Sequence, residues 1–410
     1  MKKLYFLLLP TLIFSQDLKS LLELAKENNN MLNASKISIQ VKEKELESAK
    51  SNYYPTLDAS AFYKREDDPT PFNPGTTYGA LAKISFDIYD GGKKSYTKKQ
   101  KKDEVSAADY NYKENTKSMY LTIAKEFFNL KSLYSSLEAR EEASNAVKAQ
   151  LERMKQFYAA NLATSDDVDR LQSAYDRNIY AIESLKFQIL SLKSTLELQV
   201  GQKITTLDNS KFHKRLTQKK QELESIKALR HNKLALKNLG QTIDSLYYPN
   251  IKVEDSFSVL GYKDKPLFAG SPIPLLDNQN KLMATLNLRL VDFGRLREQK
   301  EAVKLQADAL NEKIIYKSKE QIMQLELSRK RISTAELNIK SSRSALKAAT
   351  SALKTITKKY QAGIVDNVTY LDALSSRTEA KALYEKSLND LEIAYAIYYY
   401  YNAKNLQEYL

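Results

Sequence analysis

Hydrophobic and polar residues alternate over four short stretches of this chain, and over most of the remainder they recur every three or four positions. In the first stretch Leu57, Ala59, Ala61 and Tyr63 oppose Thr56, Asp58, Ser60 and Lys64, with only Phe62 breaking the polar set. In the second, Tyr78, Ala80, Ala82, Ile84, Phe86 and Ile88 oppose Thr77, Lys83, Ser85 and Asp87. The same pattern returns with Ile251, Val253, Phe257 and Val259, and then with Leu282, Ala284, Leu286, Leu288 and Leu290. Period two over about ten residues predicts half-buried strands, at 56–66, 77–90, 250–261 and 281–291. Between them, 93–158 and 295–360 run as helical patterns without proline, each about 100 Å long at the rise of an α-helix. Ile332, Ala335, Ile339, Ser342, Leu346, Ala349, Leu353, Ile356 and Tyr360 form a heptad seam on the second, and Leu130 to Tyr158 form one on the first, with Arg140 where the other has Ser342. Returning helices at 165–200 and 366–402 supply partner stripes, so each long helix is one arm of an antiparallel hairpin.

The elements come twice. S-N-Y-Y-P-T-L (Ser51 to Leu57) returns as S-L-Y-Y-P-N-I (Ser245 to Ile251), with the prolines 249 − 55 = 194 residues apart. Asp90 and Gly92 match Asp292 and Gly294, 292 − 90 = 202 residues on, and F-Y-A-A-N-L (Phe157 to Leu162) matches K-Y-Q-A-G-I (Lys359 to Ile364) at the same offset. The extra length falls in the Pro-rich loop that precedes the last strand. The chain therefore reads as a leader at 1–15, a first repeat at 16–215 and a second at 216–410, each running helix (in the first, roughly Asn30 to Tyr54), two strands, long helix, returning helix.

With 10 glycines and 9 prolines in 410 residues, long uninterrupted elements are expected. Charged residues at 28% and a mean hydropathy of −0.52 exclude an ordinary helical membrane protein. Lys2 and Lys3 before the apolar run Leu4 to Phe14, followed by Ser15 and Gln16, have the layout of a secretory signal peptide; a buried N-terminal helix is the alternative. Without cysteine the exported product has neither disulfides nor a lipidated N-terminal thiol. The net charge of +14 is spread among nearly as many acids as bases, and even the cluster from Lys93 to Lys102 reads as a solvated helix face rather than a nucleic-acid site. Neither His213 nor His231 has ligand-like neighbours in sequence, and no phosphate loop, metal pattern or catalytic triad is present, so no cofactor and no enzymatic activity are expected.

Four strands cannot close a barrel, and their edges must be satisfied either in a soluble sandwich or in a barrel shared among chains. Tyr53, Tyr54, Tyr247 and Tyr248 stand where helix becomes strand, with Phe62, Tyr63 and Tyr78 further out, as aromatics stand at the borders of an apolar band. This favours the shared barrel, with Asp58, Lys83, Lys252, Glu254 and Arg289 turned toward water inside it.

With the duplicated Y-Y-P boundary, the turns Y-D-G-G and V-D-F-G, the L-Q-V-G at Leu198 to Gly201 and the run Y-Q-A-G-I-V-D-N-V-T-Y-L-D-A (Tyr360 to Ala373), the chain resembles the TolC-like outer-membrane channel proteins over nearly its whole length. The resemblance implies an α+β membrane protein, a homotrimer in which each chain gives four strands to one shared β-barrel. Its coiled-coil hairpins would form an α-barrel reaching into the periplasm and meeting a periplasmic adaptor protein, with an inner-membrane pump engaged indirectly. Asp372 matches a pore-constriction aspartate of the family, while the other constriction position is Thr369. A helix-start aspartate also serves the helix dipole, the plainer reading. Tyr360 and Asp167 match the contacts that hold such a tip shut, but Val365 replaces their usual arginine, and Asp166 and Asp169 add acid at the same turn. Asn161 with Leu162, and Gly363 with Ile364, match the tip turns where the family docks its adaptor.

Two function classes follow. One is a passive exit duct of the outer membrane, serving a tripartite efflux pump or, alternatively, a type I protein secretion system. The other is a periplasmic coiled-coil scaffold without a pore, which has no use for strands with lipid-ready faces. For the C-terminal A-I-Y-Y-Y-Y-N-A (Ala396 to Ala403), packing of the returning helix is favoured over a membrane contact.

Overall fold

The computed structural model describes residues 16–68, 70, 74–215, 221–263, 267–268, 270–272 and 274–410. The leader expected at 1–15 lies outside the described residues, as do parts of the Pro-rich loop. Helices α1 (Leu18–Asn28) and α2 (Asn30–Ser51) lead to strands β1 (Thr56–Arg65) and β2 (Thr76–Tyr89), and then come α3 (Lys93–Ala159) and α4 (Ser165–Val200). The second half runs α5 (Glu224–Asp244), β3 (Asn250–Lys263), two-residue strands β4 (Leu267–Phe268) and β5 (Ser271–Pro272), β6 (Asn278–Asn287), α6 (Arg295–Gln361) and α7 (Asn367–Tyr401). No described helix is long and apolar enough to cross a membrane. Contacts divide the chain into two compact units.

One unit, residues 37–110 and 226–316, holds the sheet. It is antiparallel in the order β1-β2-β3-β6, so strands from the two halves of the sequence meet at its centre and β1 and β6 are its edges. Asp58 faces Lys83, Ser85 faces Glu254 and Asp87 faces Lys252 across the strands. Since side chains alternate, these share one face, and Leu57, Ile84, Phe86, Val253, Phe257 and Leu286 share the other.

Two expectations need correction. The last strand ends at Asn287 rather than at residue 291, because its partner β3 begins at Asn250, directly after Pro249, which has no N–H to offer a ladder. Leu288 and Leu290 are therefore not strand residues, and Arg289 lies outside the sheet, beside Asp90, Lys93 and Tyr248. The helix expected to reach Tyr54 stops at Ser51, and Asn52 to Tyr54 form a turn ahead of Pro55.

The other unit, residues 16–36, 111–225 and 317–410, contains the main core. Leu18, Leu21, Leu22 and Ala25 recur at helical spacing on α1, all fully buried, against Phe127, Phe128 and Leu130 of α3, Leu196 and Val200 of α4 and Tyr398 and Tyr399 of α7. Each such leucine contributes about 1.5–3 kcal/mol on burial. Asp17 caps α1 by accepting from the Ser20 N–H at 2.8 Å, and Gly201 ends α4 at φ 75°, where a Cβ would meet the Asn28 carbonyl oxygen at 2.7 Å. Only glycine allows α1 and α4 to come that close. The C-terminal tyrosines pack as expected: the Tyr399 ring stacks on Tyr409 with centroids 4.1 Å apart, and the Tyr400 hydroxyl donates to Glu114 Oε1 at 2.5 Å.

Candidate functional site

Strand β2, at the centre of the sheet, reverses the distribution usual for a soluble sandwich. Along β2 the polar positions Lys83, Ser85 and Asp87 are half-buried while the apolar positions between them are exposed. Leu57 is 72% exposed, Ile84 47%, Phe257 48% and Leu282 72%, and no described helix covers this face. A contiguous apolar face of this kind marks a surface meant for something other than water. On the opposite face Glu254 Oε1 accepts a hydrogen bond from Ser85 Oγ at 3.1 Å and forms ion pairs with Lys252 Nζ at 2.7 Å and Lys83 Nζ at 3.4 Å, tying β2 to β3 through charge. The apolar face carries one acid that alternation alone did not single out. Asp255 stands opposite Ile84 and Leu282, and its Oδ1 is buried without a hydrogen-bond partner.

At the junctions of strand and helix, Tyr53, Tyr54, Tyr247 and Tyr248 are all exposed. The aspartates of the repeated turns do matching work. Asp90 accepts from the N–H groups of Gly92 and Lys94 at 3.0 and 2.8 Å, and Asp292 accepts from those of Gly294 and Leu296, both at 3.0 Å. Each carboxylate thus starts a 67-residue helix by satisfying its first orphan donors, and these bonds hold Asp292 below the usual carboxylate range.

In the other unit the two hairpin turns share one design. Leu162 N–H donates to Phe157 O at 2.8 Å and Asn161 N–H to Tyr158 O at 3.0 Å, while Ile364 N–H donates to Lys359 O at 2.9 Å and Gly363 N–H to Tyr360 O at 3.1 Å. With Asn161 at φ 57° and Gly363 at φ 72°, both are Schellman caps. Each pushes one aliphatic side chain into the open, Leu162 at 75% and Ile364 at 70% exposure.

After the turns, Thr164 and Asp167 cap α4 reciprocally, and Asp366 caps α7 by accepting from the N–H and hydroxyl of Thr369 at 2.9 and 2.6 Å. Those bonds hold the Asp366 carboxyl below its usual range. Thr369, expected near the constriction, is therefore engaged in its own helix start. Asp167 and Tyr360 do make tip contacts, but with partners that sequence reasoning missed. The amide of buried Asn367 donates to Asp167 Oδ1 at 3.1 Å and to the Asp167 carbonyl at 3.4 Å, joining the starts of α7 and α4. The Tyr360 ring stacks on Tyr370, centroids 5.0 Å apart and planes 13° from parallel. Val365 is half-buried, and Arg170 pairs with Asp166 at 2.8 Å on α4 itself. Nothing in the spacing of Asn367 announces this role, since its partner lies 200 residues away in the sequence.

Asp372, one turn further along α7, is exposed and lines a cavity of about 300 Å³ with Arg140 of α3 and Arg177 of α4. The histidines are structural. His231 Nδ1 lies 3.1 Å from Asp103 Oδ1 with its ring stacked on Tyr110, and the His213 backbone bonds Tyr409 and Tyr399. Among the described residues no group of acids, histidines or cysteines is placed to hold a metal.

Residues 21–202 match the family model described as outer membrane efflux protein. No curated protein matches the chain. Among solved structures, the Campylobacter jejuni CmeC outer membrane channel is similar with a TM-score of 0.82 at 14% identity, covering 94% of this chain and 85% of that one. The outer membrane protein VceC of Vibrio cholerae gives 0.77 at 16% identity, with 95% and 96% covered, and a membrane protein of Pseudomonas aeruginosa gives 0.80 at 16%, with 94% and 93% covered. At these identities the likeness is one of fold, and it spans both sequence halves.

Proposed function

We infer from the chain's membership in the TolC-like outer membrane efflux family, which makes it a transport protein of the outer membrane rather than an enzyme, that it is the passive exit duct of a tripartite efflux pump. The observation that carries this reading is the sheet, whose apolar residues Leu57, Ile84, Phe257 and Leu282 are bare, and on whose central strand β2 the polar positions are the more enclosed. Lipid satisfies the first face and a water-filled lumen the second. The edge strands β1 and β6 differ from one another, so closure requires a head-to-tail ring of chains. Three copies give a twelve-stranded barrel, with Tyr53, Tyr54, Tyr247 and Tyr248 at its inner border.

The helical hairpins then extend into the periplasm, and their turns dock an adaptor through Leu162 and Ile364, each held out by its Schellman cap at Asn161 and Gly363. The tip is held shut by the Asn367–Asp167 bonds and the Tyr360–Tyr370 stack, without the arginine that Val365 replaces. Asp372 from three chains sets a ring of carboxylates at the constriction, weaker than a double ring because Thr369 carries no charge and offset by the two guanidiniums that share the cleft of each Asp372.

Deletion of the gene, followed by measurement of dye retention and of the secreted proteome, tests the reading. Dye retention with an unchanged secretome supports the efflux duct; a lost secreted protein moves the reading to type I secretion. If neither changes, and the protein extracts with salt rather than detergent, the pore-free scaffold replaces it.

A further inference from the structure

We propose that the cleft between α3, α4 and α7 is a binding site for an amphipathic organic anion, with Arg140 and Arg177 as its anion-holding groups. Arg140 is half-buried, and its one hydrogen bond among the described residues is to Asn178 Oδ1, at 3.2 Å. Arg177 makes neither a hydrogen bond nor an ion pair among the described residues. A guanidinium carries five donors; half-buried Arg140 spends one on Asn178, and exposed Arg177 keeps its own in water, so both have donors to turn toward a ligand in the cleft. The neighbouring cations are different: Arg377 pairs with Glu142 at 2.7 Å, and Lys381 with Glu142 at 2.6 Å and Glu138 at 3.1 Å.

The seam of the other hairpin provides an internal comparison. At the position 202 residues on from Arg140 stands Ser342, 2% exposed, with its hydroxyl 2.9 Å from that of Ser387 in a closed contact. In the first hairpin the seam holds an arginine and a cavity instead. Packing does not require that, since serine closes the equivalent place.

The lining specifies the ligand. Two guanidiniums against the single carboxylate of Asp372 leave an excess of one positive charge, and Ser375 and Thr378 add hydroxyls. Ala143, Val147, Ala174 and Leu374 give an apolar floor. Arg140 and Thr378 also line a second cleft, toward Tyr180 and Leu383, where an apolar body extends beyond the anionic head. A carboxylate or sulfonate on an aromatic or aliphatic frame meets all of these groups, and a pair of its oxygens suits a guanidinium fork.

The site does not depend on the conduit reading, and its test is binding rather than transport. Detergent-extracted full-length protein is titrated with dansylglycine, an amphipathic carboxylate, alongside dansylamide and the cationic dansylcadaverine. One saturable site per chain for dansylglycine is expected, with at least tenfold weaker binding in Arg140→Gln and in Arg177→Gln and no loss in Arg377→Gln. Circular dichroism and the oligomer band on a native gel confirm that the variants fold, and a variant that does not fold is replaced by Arg140→Lys or Arg177→Lys, for which weakened binding is again expected. Equal binding of all three probes, or dansylglycine binding indifferent to both arginines, overturns the proposal.

Discussion

Removing the amide of Asn367 should loosen the helical tip by a calculable amount. In Asn367→Ala the starts of α4 and α7 lose a charge-assisted hydrogen bond of 3.1 Å and a longer one of 3.4 Å, both onto Asp167. Bonds to charged groups contribute about 1.5–3 kcal/mol and neutral ones about 0.5–1.5. With Asp167 half-exposed and the second bond long, about 2 kcal/mol per chain is reasonable. At about 1.4 kcal/mol per factor of ten, that shifts the equilibrium between closed and open tips by about 30-fold. Tyr360→Ala loses a stacked pair worth about 0.5–1.5 kcal/mol and should open the tip less. Asn367→Asp, which sets a second carboxylate against Asp167, should open it most. The assay is single-channel conductance in planar bilayers, with Asn389→Ala as control, because that asparagine is also buried and bonded but to Ser132. Conductance and open time in Asn367→Ala that match those of Asn389→Ala would refute the assignment of the tip contact.

Asp255→Val replaces an acid on the apolar face, between Ile84 and Leu282, and should stabilise the inserted oligomer by about 1 kcal/mol per chain, read as a higher temperature of dissociation on a gel. Burial raises the Glu392 carboxyl above its ordinary 4.5, so the folded chain binds that proton more tightly than the unfolded one. Stability therefore falls as pH rises from 4.5 through the raised value, and the deficit persists above it. Glu392→Gln, whose amide oxygen can still accept from the Phe212 N–H, should melt higher than the parent at pH 7 and converge with it below pH 4.5. Gly201→Ala forces a Cβ against the Asn28 carbonyl in a left-handed conformation and should cost more than about 1 kcal/mol, seen as earlier thermal loss of helicity.

Long elements were the most legible in the sequence, because period is a property of many residues at once. On the seams Leu130, Val147 and Leu151, and Ile332, Ala335 and Ser342, are buried where their heptads put them, most of the other seam positions are half-buried and Tyr158 is exposed, and the four alternating stretches form one antiparallel sheet. Boundaries were less legible where the partner decides: Leu288 and Leu290 continue the alternation but run past the first residue of β3, so no ladder holds them. Individual site contacts were least legible. Asn367 meets Asp167 across 200 residues, and the seam pattern that includes Arg140 carries no sign of the cavity beside it. Asp255 shows the opposite limit. The alternation of apolar residues continues on either side of it, so the period alone does not mark the one charged member of that face.

Labelling of adjacent single cysteines along β2 tests the central claim most directly, since the chain has no cysteine of its own. Ala82→Cys, Lys83→Cys, Ile84→Cys, Ser85→Cys and Phe86→Cys are each challenged in outer-membrane vesicles with a water-soluble maleimide and with a lipid-soluble one. The account predicts that Lys83→Cys and Ser85→Cys react with the first reagent, and that Ala82→Cys, Ile84→Cys and Phe86→Cys react only with the second. Reaction of all five with the water-soluble reagent alone would mean that no lipid touches this sheet, and the shared barrel would have to be abandoned.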